Sequence, residues 1–261
     1  MSSFSRFLVT LLFAGLLAFP AAAAAPAPPR VLVVTGGHGF QQDPFLEVFK
    51  TNAAIAWTHL EHTKGTADVY DRADLAAYDV VLLYDMPRTI TESQRAKFLG
   101  LFARGTGLVV THHALCSYQD WPDYERIIGG RYLEKKAAVA AGLTPSGYEH
   151  DVDLPVVVAA RQHPVTAGVA DFTIHDEIYW GYRVGKDVTP LLTTPHPKSG
   201  NPLAWCRTEG KSRVVYLLLG HDAKAYVDPN YRRLLANAIR WVARSSQSEN
   251  LMRGASTAPG R

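Results

Sequence analysis

The sequence predicts an α/β fold: a three-layer, doubly wound, mainly parallel sheet with antiparallel additions in its C-terminal half. Short, continuous apolar runs rich in β-branched residues are typical of strands buried on both faces of a parallel sheet. In the first half these runs alternate with helix signals, the order that builds right-handed strand–helix–strand units. Three runs break off at His38, His112 and His221. Because ligands of open α/β sheets bind at the carboxyl ends of the strands, these histidines predict one shared site.

The first predicted unit is a strand, a helix and a second strand. Residues 31–35 form an apolar, β-branched run and are predicted as a central strand. Asp43 and Pro44 give a helix start with proline in the first turn, and the helix is expected to end near Ala54. The second strand is predicted over 55–60.

The second unit repeats this order. Residues 79–84 are a further apolar run. Thr91 lies three residues before Gln94, a spacing that predicts a capping box at the start of a helix. Gly105 can take the left-handed conformation that ends that helix. The run 107–111 is predicted as the next strand, so the first half is expected to be doubly wound.

From about residue 151 the pattern indicates antiparallel strands. Residues 151–154 and 156–159 are predicted as two short strands interrupted by Pro155, because proline cannot donate to a strand ladder. Residues 203–207 and 213–219 are predicted as a hairpin.

These elements fit one domain over 30–244, which a predicted amphipathic helix over 229–243 completes. Before it, Arg6, an apolar stretch and a run of alanines predict a signal peptide over 1–25. After it, the polar residues 245–261 are predicted to form a disordered tail. The mature protein is therefore expected to be periplasmic or secreted, and an uncleaved leader that anchors the chain is the alternative.

The net charge limits the classes of partner that the protein is expected to bind. The 27 Lys and Arg and 24 Asp and Glu residues give a net charge of +3 without a basic stripe, so a nucleic acid is not expected. No segment after the leader has the length of a membrane span. We expect a small-molecule partner, and a homo-oligomer stays open.

Cys116 and Cys206 permit one disulfide in an oxidising compartment, and two buried free thiols are the alternative.

The candidate chemistry lies in polar residues that follow strands. His112 and His113 end the run 107–111, in a position that resembles a nucleophile elbow but holds neither serine nor cysteine. Residues 175–177 add an imidazole and two carboxylates. This set suits zinc or another divalent metal, and it also suits general acid and base catalysis. The alternative for each histidine is a structural role, in which its ring bonds a backbone carbonyl.

Two further features concern the ligand. His38 follows Gly36 and Gly37, but the loop lacks the glycine order of a phosphate-binding loop, so a nucleotide is not expected. Aromatic residues are concentrated in the candidate loops, and aromatic faces beside carboxylates suit a sugar, whose C–H face is apolar and whose hydroxyls need hydrogen bonds. Burial in the core is the alternative for each aromatic residue.

Four blocks of sequence, taken in order, resemble the ThuA-like, or trehalose-utilisation, family, whose fold is similar to that of class I glutamine amidotransferases. The resemblance spans the chain from about Val31 to Trp241. It rests on GLVVTHHA at 107–114, WPDY and IGGRY within 121–132, HPVT and DEIY within 163–179, and PLAW, GKSRVVY and LGHD within 202–222.

The resemblance implies a flavodoxin-like sheet in which His112 stands where the family has its elbow histidine. Since the elbow has no cysteine, the resemblance does not imply glutamine hydrolysis. The family is associated with the use of disaccharides, including 3-keto sugars. Together with the predicted signal peptide, it implies an exported protein of carbohydrate metabolism that binds a sugar or 3-keto-glycoside at the strand carboxyl ends.

Within this interpretation we assign expected roles to individual residues. The expected catalytic groups, and the ligands of a divalent metal such as zinc if one is bound, are His112, Glu177 and His221. The expected substrate-binding residues are His38, His113, Tyr179, Trp205 and Asp222. Lyase, hydrolase and isomerase reactions all stay open, because each can pass through removal of the acidic proton beside a ketone. The alternatives are a non-catalytic carbohydrate- or partner-binding module and acyl transfer through Cys116.

Overall fold

The computed structural model describes the backbone over 27–256 and the side chains over 27–243. The predicted signal peptide over 1–25 lies outside the described residues. The strands of the described part are β1 (Arg30–Gly36), β2 (Ala56–Glu61), β3 (Val80–Asp85), β4 (Gly107–Thr111), β5 (Gly130–Arg131), β6 (Gly147–Val158), β7 (Phe172–Trp180), β8 (Arg183–Val184), β9 (Thr189–Thr193), β10 (Ala204–Glu209) and β11 (Ser212–Leu217). The helices are α1 (Gln42–Lys50), α2 (Glu92–Arg104), α3 (Pro122–Ile128), α4 (Lys135–Ala140), α5 (Ala223–Tyr226) and α6 (Pro229–Ser256).

Nine strands form one sheet in the order β2-β1-β3-β4-β11-β10-β9-β6-β7. The first five strands run parallel, and their order is that of flavodoxin-like folds, with β11 as the fifth strand. The remaining four extend the sheet in antiparallel pairs. The predicted fold class, a mainly parallel sheet with antiparallel additions, is confirmed. β5 and β8 form a separate two-stranded ribbon.

Helices cover both faces of the parallel part. The crossover from β1 to β2 moves one way along the sheet and the crossover from β3 to β4 moves the other way. Because such crossovers are right-handed, α1 and α2 lie on opposite faces. α6 lies beside α1, where the two helices line one groove, and α3 packs against α2 through Phe98 and Tyr124. This is the predicted doubly wound arrangement.

The local signals of the first half correspond to the observed elements. β1 and β3 are buried almost throughout, as expected of central strands. At the start of α2, Thr91 and Gln94 exchange the two hydrogen bonds of a capping box, and Gly105 ends the helix with φ 85°. α1 ends at Lys50 rather than near Ala54.

Two elements of the second half differ from the prediction. β6 is one continuous strand through Pro155, not two strands interrupted there. The Pro155 carbonyl accepts a hydrogen bond from Thr194, so this residue faces away from β7 and its missing N–H removes no bond to that strand. α6 continues past Ala243 to Ser256, into the segment 245–261 for which a disordered tail is predicted. Its sequence has no glycine or proline between Ala243 and Arg253, and 257–261 lie outside the described residues.

Two expectations on cysteines and membranes can also be compared with the structure. Cys116 and Cys206 are both buried free thiols, so the alternative to a disulfide is the one observed. Within the described residues, no helix combines the length and the apolar character needed to cross a bilayer.

Candidate functional site

His112 stands at a sharp turn at the carboxyl end of β4. The strand ends at Thr111, and residues 112–116 continue as a 3₁₀ turn. His112 has φ 49°, a left-handed conformation that costs a residue with a side chain on the order of 1–3 kcal/mol. Hydrogen bonds from Tyr216 Oη to the His112 carbonyl (3.1 Å) and between His112 Nδ1 and the Leu218 carbonyl (2.7 Å) hold it there. The turn raises the imidazole above the end of the sheet.

The three residues expected to be catalytic come together from three strands. His112 follows β4, Glu177 lies on β7 and His221 follows β11. The Oε2 atom of Glu177 is 2.8 Å from His112 Nε2 and 3.3 Å from His221 Nδ1, and the two nitrogens are 3.2 Å apart. We call these three side chains the His–Glu cluster. The expected convergence at the strand ends is therefore observed.

The backbone contact of His112 fixes its tautomer. Since the Leu218 carbonyl can only accept a hydrogen bond, Nδ1 must carry the proton that it receives. In the neutral ring Nε2 then offers a lone pair to the centre of the His–Glu cluster. Metal-binding histidines are held in this way, with the far ring nitrogen donating to a carbonyl or carboxylate.

The ionisation of the His–Glu cluster reflects its close contacts. Burial alone would raise the pKa of Glu177, but hydrogen bonds from His221 and from the doubly protonated, metal-free form of His112 outweigh it and hold that pKa below its usual range. The hydrogen bond to Glu177 in turn raises the pKa of His221. The Glu177 carboxylate therefore stays ionised at neutral pH, and its negative charge attracts a cation.

Asp176 fastens the loop after β11 to β7. Its carboxylate accepts the backbone N–H groups of Gly220 (2.8 Å), His221 (2.9 Å) and Glu177 (2.9 Å). Burial raises the pKa of Asp176, and these hydrogen bonds oppose the rise. Asp176 thus sets the position of two members of the His–Glu cluster without belonging to it.

The His–Glu cluster lies in the wall of a cavity of about 520 Å³, here called the main cavity. His38, His113 and Tyr179, all expected to bind substrate, line it as well. His38 stacks on His113 at 4.6 Å, and burial lowers the pKa of both rings, which favours their neutral forms. Nε2 of His113 is buried and has no hydrogen-bond partner among the described residues. Tyr179 places its hydroxyl 3.0 Å from His112 Nε2.

Two expected substrate-binding residues lie elsewhere, and both expectations are corrected. Trp205 is fully buried, stacks on Tyr216 at 4.2 Å and donates Nε1 to the Ile128 carbonyl. Because both faces of its strand are covered, its ring packs in the core. Asp222 is the N-cap of α5, where its carboxylate accepts the N–H groups of the first turn. Its Oδ1 accepts both hydrogen bonds of the cap, and Asp222 does not line the main cavity.

The sequence interpretation missed several residues of the main cavity. His150 and Tyr148 come from β6, which pairs with β7, and His150 Nδ1 is 3.2 Å from Glu177 Oε1. The signal was the two-residue spacing of Tyr148 and His150, which places both on one face of a strand. The other missed lining residues are Met86, Arg88, Tyr132 and Glu134.

Cys116 also lines the main cavity, near the turn at His112. Burial raises the pKa of its thiol far above the usual range, so the reactive thiolate is suppressed. This environment does not favour acyl transfer through Cys116.

Comparison with known proteins gives a family match and a shared fold. The model of the ThuA family, described as trehalose utilisation, matches residues 30–242. A ThuA-like protein from Parabacteroides merdae has a TM-score of 0.70 at 18% identity, with 83% of this chain and 90% of that chain covered. A ThuA-like protein from Bacteroides uniformis has a TM-score of 0.62 at 22% identity, with 86% of this chain and 95% of that chain covered.

A more distant structure has a related fold. The PurLQS structure from Thermotoga maritima gives a TM-score of 0.50 at 12% identity and covers 82% of this chain and 99% of that chain. No curated protein matches the chain. The sheet order and these neighbours agree with an amidotransferase-like fold, and they leave the chemistry to be argued from the site.

Proposed function

The chain belongs to the ThuA family, and from this premise we propose that it is an enzyme of carbohydrate utilisation that acts on a sugar or 3-keto-glycoside in the main cavity. The groups that we assign to the chemistry are the His–Glu cluster and its neighbour His150. The proposal includes export to the periplasm or beyond, on the basis of the leader-like sequence over 1–25.

One observation carries the proposal, the convergence of three lone-pair atoms. His112 Nε2, Glu177 Oε2 and His221 Nδ1 lie 2.8–3.3 Å from one another. Around a tetrahedral zinc ion with bonds of about 2.0–2.1 Å, neighbouring ligand atoms are about 3.3 Å apart. The geometry therefore fits a divalent metal held by two histidines and a glutamate. Three protein ligands leave a fourth position, the pattern of catalytic rather than structural zinc.

A metal in this position would polarise an oxygen of the ligand and so make a neighbouring C–H bond more acidic. The size of the main cavity, about 520 Å³, is within the range of small-molecule sites. Its imidazole and phenol groups can hydrogen-bond sugar hydroxyls, and His113 Nε2 needs such a partner.

His150 is the residue that we assign to proton transfer. Its Nδ1 faces Glu177 Oε1, the carboxylate oxygen that points away from His112 and His221, so that the carboxylate orients the ring. With Nδ1 protonated, Nε2 of the half-exposed ring is free to take the proton beside a keto group. The electron pair of the broken C–H bond forms a C=C bond to the keto carbon, and the π pair of the carbonyl moves onto the keto oxygen, where the Tyr179 hydroxyl can donate a hydrogen bond. Burial raises the pKa of Tyr179 and keeps that donor protonated.

The test combines metal analysis with turnover. We expect the purified protein to hold about one equivalent of zinc or a similar ion, and His112→Ala and Glu177→Ala to lose both the ion and turnover of a 3-keto-glycoside. His196→Ala, which removes an imidazole that does not line the main cavity, is the matched control and should change neither.

Other results would contradict the proposal in different ways. A protein that binds sugars but turns over no keto-sugar, with or without added metal, would be the non-catalytic binding module. Turnover that survives both Glu177→Ala and His112→Ala would remove the His–Glu cluster from the chemistry.

A further inference from the structure

We propose that Asp151 and Lys224 are positioning residues, whose ion pair holds His150 in place beside Glu177. The inference rests on the proposed function, because His150 is the residue assigned there to proton transfer. Neither Asp151 nor Lys224 lines the main cavity. The pair therefore acts on the site from outside, through the placement of His150.

His150 and Asp151 form a bulge in β6. The register of β6 against β7 shifts between Glu149 and Val152, so that two residues of β6 oppose Glu177 alone. A bulge of this kind bends the strand and re-aims a side chain, and bulges are over-represented beside active sites. Here the bulge brings His150 Nδ1 to 3.2 Å from Glu177 Oε1.

Asp151 is the residue of the bulge whose backbone needs support. Its φ of 56° lies in the left-handed region, which aspartate tolerates better than most residues with a side chain but seldom adopts. Because the peptide between His150 and Asp151 is planar, rotation about this φ swings His150 relative to the rest of β6. The conformation of Asp151 therefore decides where the His150 ring points.

Lys224 supplies that support from α5. Its Nζ donates to Asp151 Oδ1 at 2.7 Å, and Nε2 of His175 lies 3.2 Å from both atoms. The backbone of Lys224 is itself fixed, because its N–H donates to the carboxylate of Asp222 at the start of the helix. The ion pair thus connects the bulge of β6 to a capped helix turn.

The same ion pair connects two imidazoles of the site. α5 begins at Ala223, two residues after His221. The rings of His150 and His221 are 4.6 Å apart. A contact between the bulge and α5 therefore helps to set the distance between the proton-transfer residue and a member of the His–Glu cluster.

The exposure of the ion pair predicts an effect on position rather than on stability. The side chains of Lys224 and Asp151 are 58% and 66% exposed, and exposed pairs add little to the free energy of unfolding. In contrast, a displacement of about 1 Å in a catalytic site can lower the rate by about 100-fold. Loss of the pair should therefore change kcat far more than the unfolding midpoint.

The first arm of the experiment measures turnover of methyl 3-keto-glucoside by the full chain. Lys224→Met and Asp151→Asn remove the charges but keep side chains of similar size, and asparagine also tolerates the left-handed conformation. Each should lower kcat by about 10–100-fold and leave KM, zinc content and the unfolding midpoint nearly unchanged. The double variant should be no slower than either single variant, because both remove the same contact. Lys224→Arg should restore most of the turnover.

The matched control is another exposed lysine–aspartate pair. Nζ of Lys97 on α2 is 2.9 Å from Asp71 Oδ1, and neither residue lines the main cavity. Lys97→Met should keep the wild-type kcat.

The second arm requires no turnover. Nitrogen-15 NMR of the chain labelled at histidine reports which ring nitrogen of each imidazole carries the proton, and His150→Gln assigns the signals of His150. In the wild type that proton should lie on Nδ1, facing Glu177. In Lys224→Met and Asp151→Asn the His150 signals should shift towards a mixture of the two tautomers, while those of His163, which does not line the main cavity, stay in place.

The outcomes separate this inference from the function on which it rests. Unchanged His150 signals in both variants, wild-type kcat in both, or additive losses in the double variant overturn the positioning role and leave the proposed function intact. A fall of the unfolding midpoint that accompanies the loss of kcat also overturns it, because the pair would then act on folding. Shifted His150 signals in a protein that turns over no keto-sugar support the positioning of His150 and overturn the proposed reaction.

Discussion

At the scale of single residues, Glu177 uses its two carboxylate oxygens for different partners. Oε2 meets His112 and His221, and Oε1 meets His150. Without a metal, the carboxylate is stabilised by these imidazoles, and the result is a lowered pKa for Glu177 and a raised pKa for His221. Both shifts link folding to pH.

The contact between Glu177 and His221 should therefore add most to the free energy of unfolding of the metal-free protein in a limited pH window. The lowered Glu177 pKa adds stability above the ordinary glutamate value of about 4.3, and this is lost as pH falls through the folded value. The raised His221 pKa adds stability below about 6.5, and this is lost as pH rises through the folded value. In EDTA, the urea midpoint of the wild type should exceed that of Glu177→Gln most between these two values.

The exposed Glu92, which pairs with Arg95, provides the control for this measurement. The wild-type midpoint should exceed that of Glu92→Gln by much less than that of Glu177→Gln, because exposed ion pairs contribute little. A difference between wild type and Glu177→Gln that does not vary from pH 4 to pH 8 would contradict the linkage.

The proximity of site residues could be predicted where a residue directly follows a strand of the parallel sheet. His38, His112 and His221 follow strands that end at one edge of the sheet, so their proximity could be predicted without knowing any long-range contact. Trp205 could not be assigned in this way. An aromatic residue in a hairpin has the same local pattern whether its ring faces a ligand or the core, and here Tyr216 and Ile128 cover it.

At the scale of elements, Asp176 joins β7 to the loop after β11. We expect Asp176→Ala to leave the sheet folded but to free the N–H groups of Gly220 and His221, and so to misplace the His221 ring. Zinc affinity should fall by about 10–100-fold, as it does when the support of a metal ligand is removed. Competition with a chromophoric chelator measures this change, and Asp153→Asn, an exposed residue of β6, should have no effect. Unchanged affinity in Asp176→Ala would show that the loop holds its position without the carboxylate.

Element boundaries were predictable where a local device sets them. The capping box at Thr91 and the left-handed Gly105 fix both ends of α2. Pro155 was misleading because the cost of proline in a strand depends on which side its missing N–H faces, and that depends on the neighbouring strands β7 and β9. The ribbon of β5 and β8 has two residues in each strand, too few for a periodic pattern.

At the scale of the whole molecule, zinc should stabilise the fold. The ligands of the His–Glu cluster come from the turn after β4, from β7 and from the segment after β11, so unfolding separates them and releases a bound ion. A free zinc concentration of about 100 times the Kd adds about 2.7 kcal/mol to the free energy of unfolding. Differential scanning calorimetry should show a rise of the melting temperature with zinc in the wild type and none in Glu177→Ala. An equal rise in both proteins would place zinc at another site.

The topology was only partly predictable. The alternation of strands and helices predicts the parallel half and its two covered faces, because each crossover involves neighbouring segments of chain. The position of β11 beside β4, and of β7 at the far edge, depends on pairings between distant segments. Local periodicity contains no information on those pairings, which is why the place of His150 beside Glu177 was not anticipated.

The hairpin of β6 and β7 brings Tyr148, His150, Glu177 and Tyr179 to the main cavity. Among the strands of the described residues, the hairpin pairs outside itself only through the short pairing of Val157 and Val158 with β9. A homologous hairpin could thus be transplanted as one cassette while the parallel core stays intact. Such chimeras would exchange these four side chains together, in one step, while the other residues that line the main cavity stay in place.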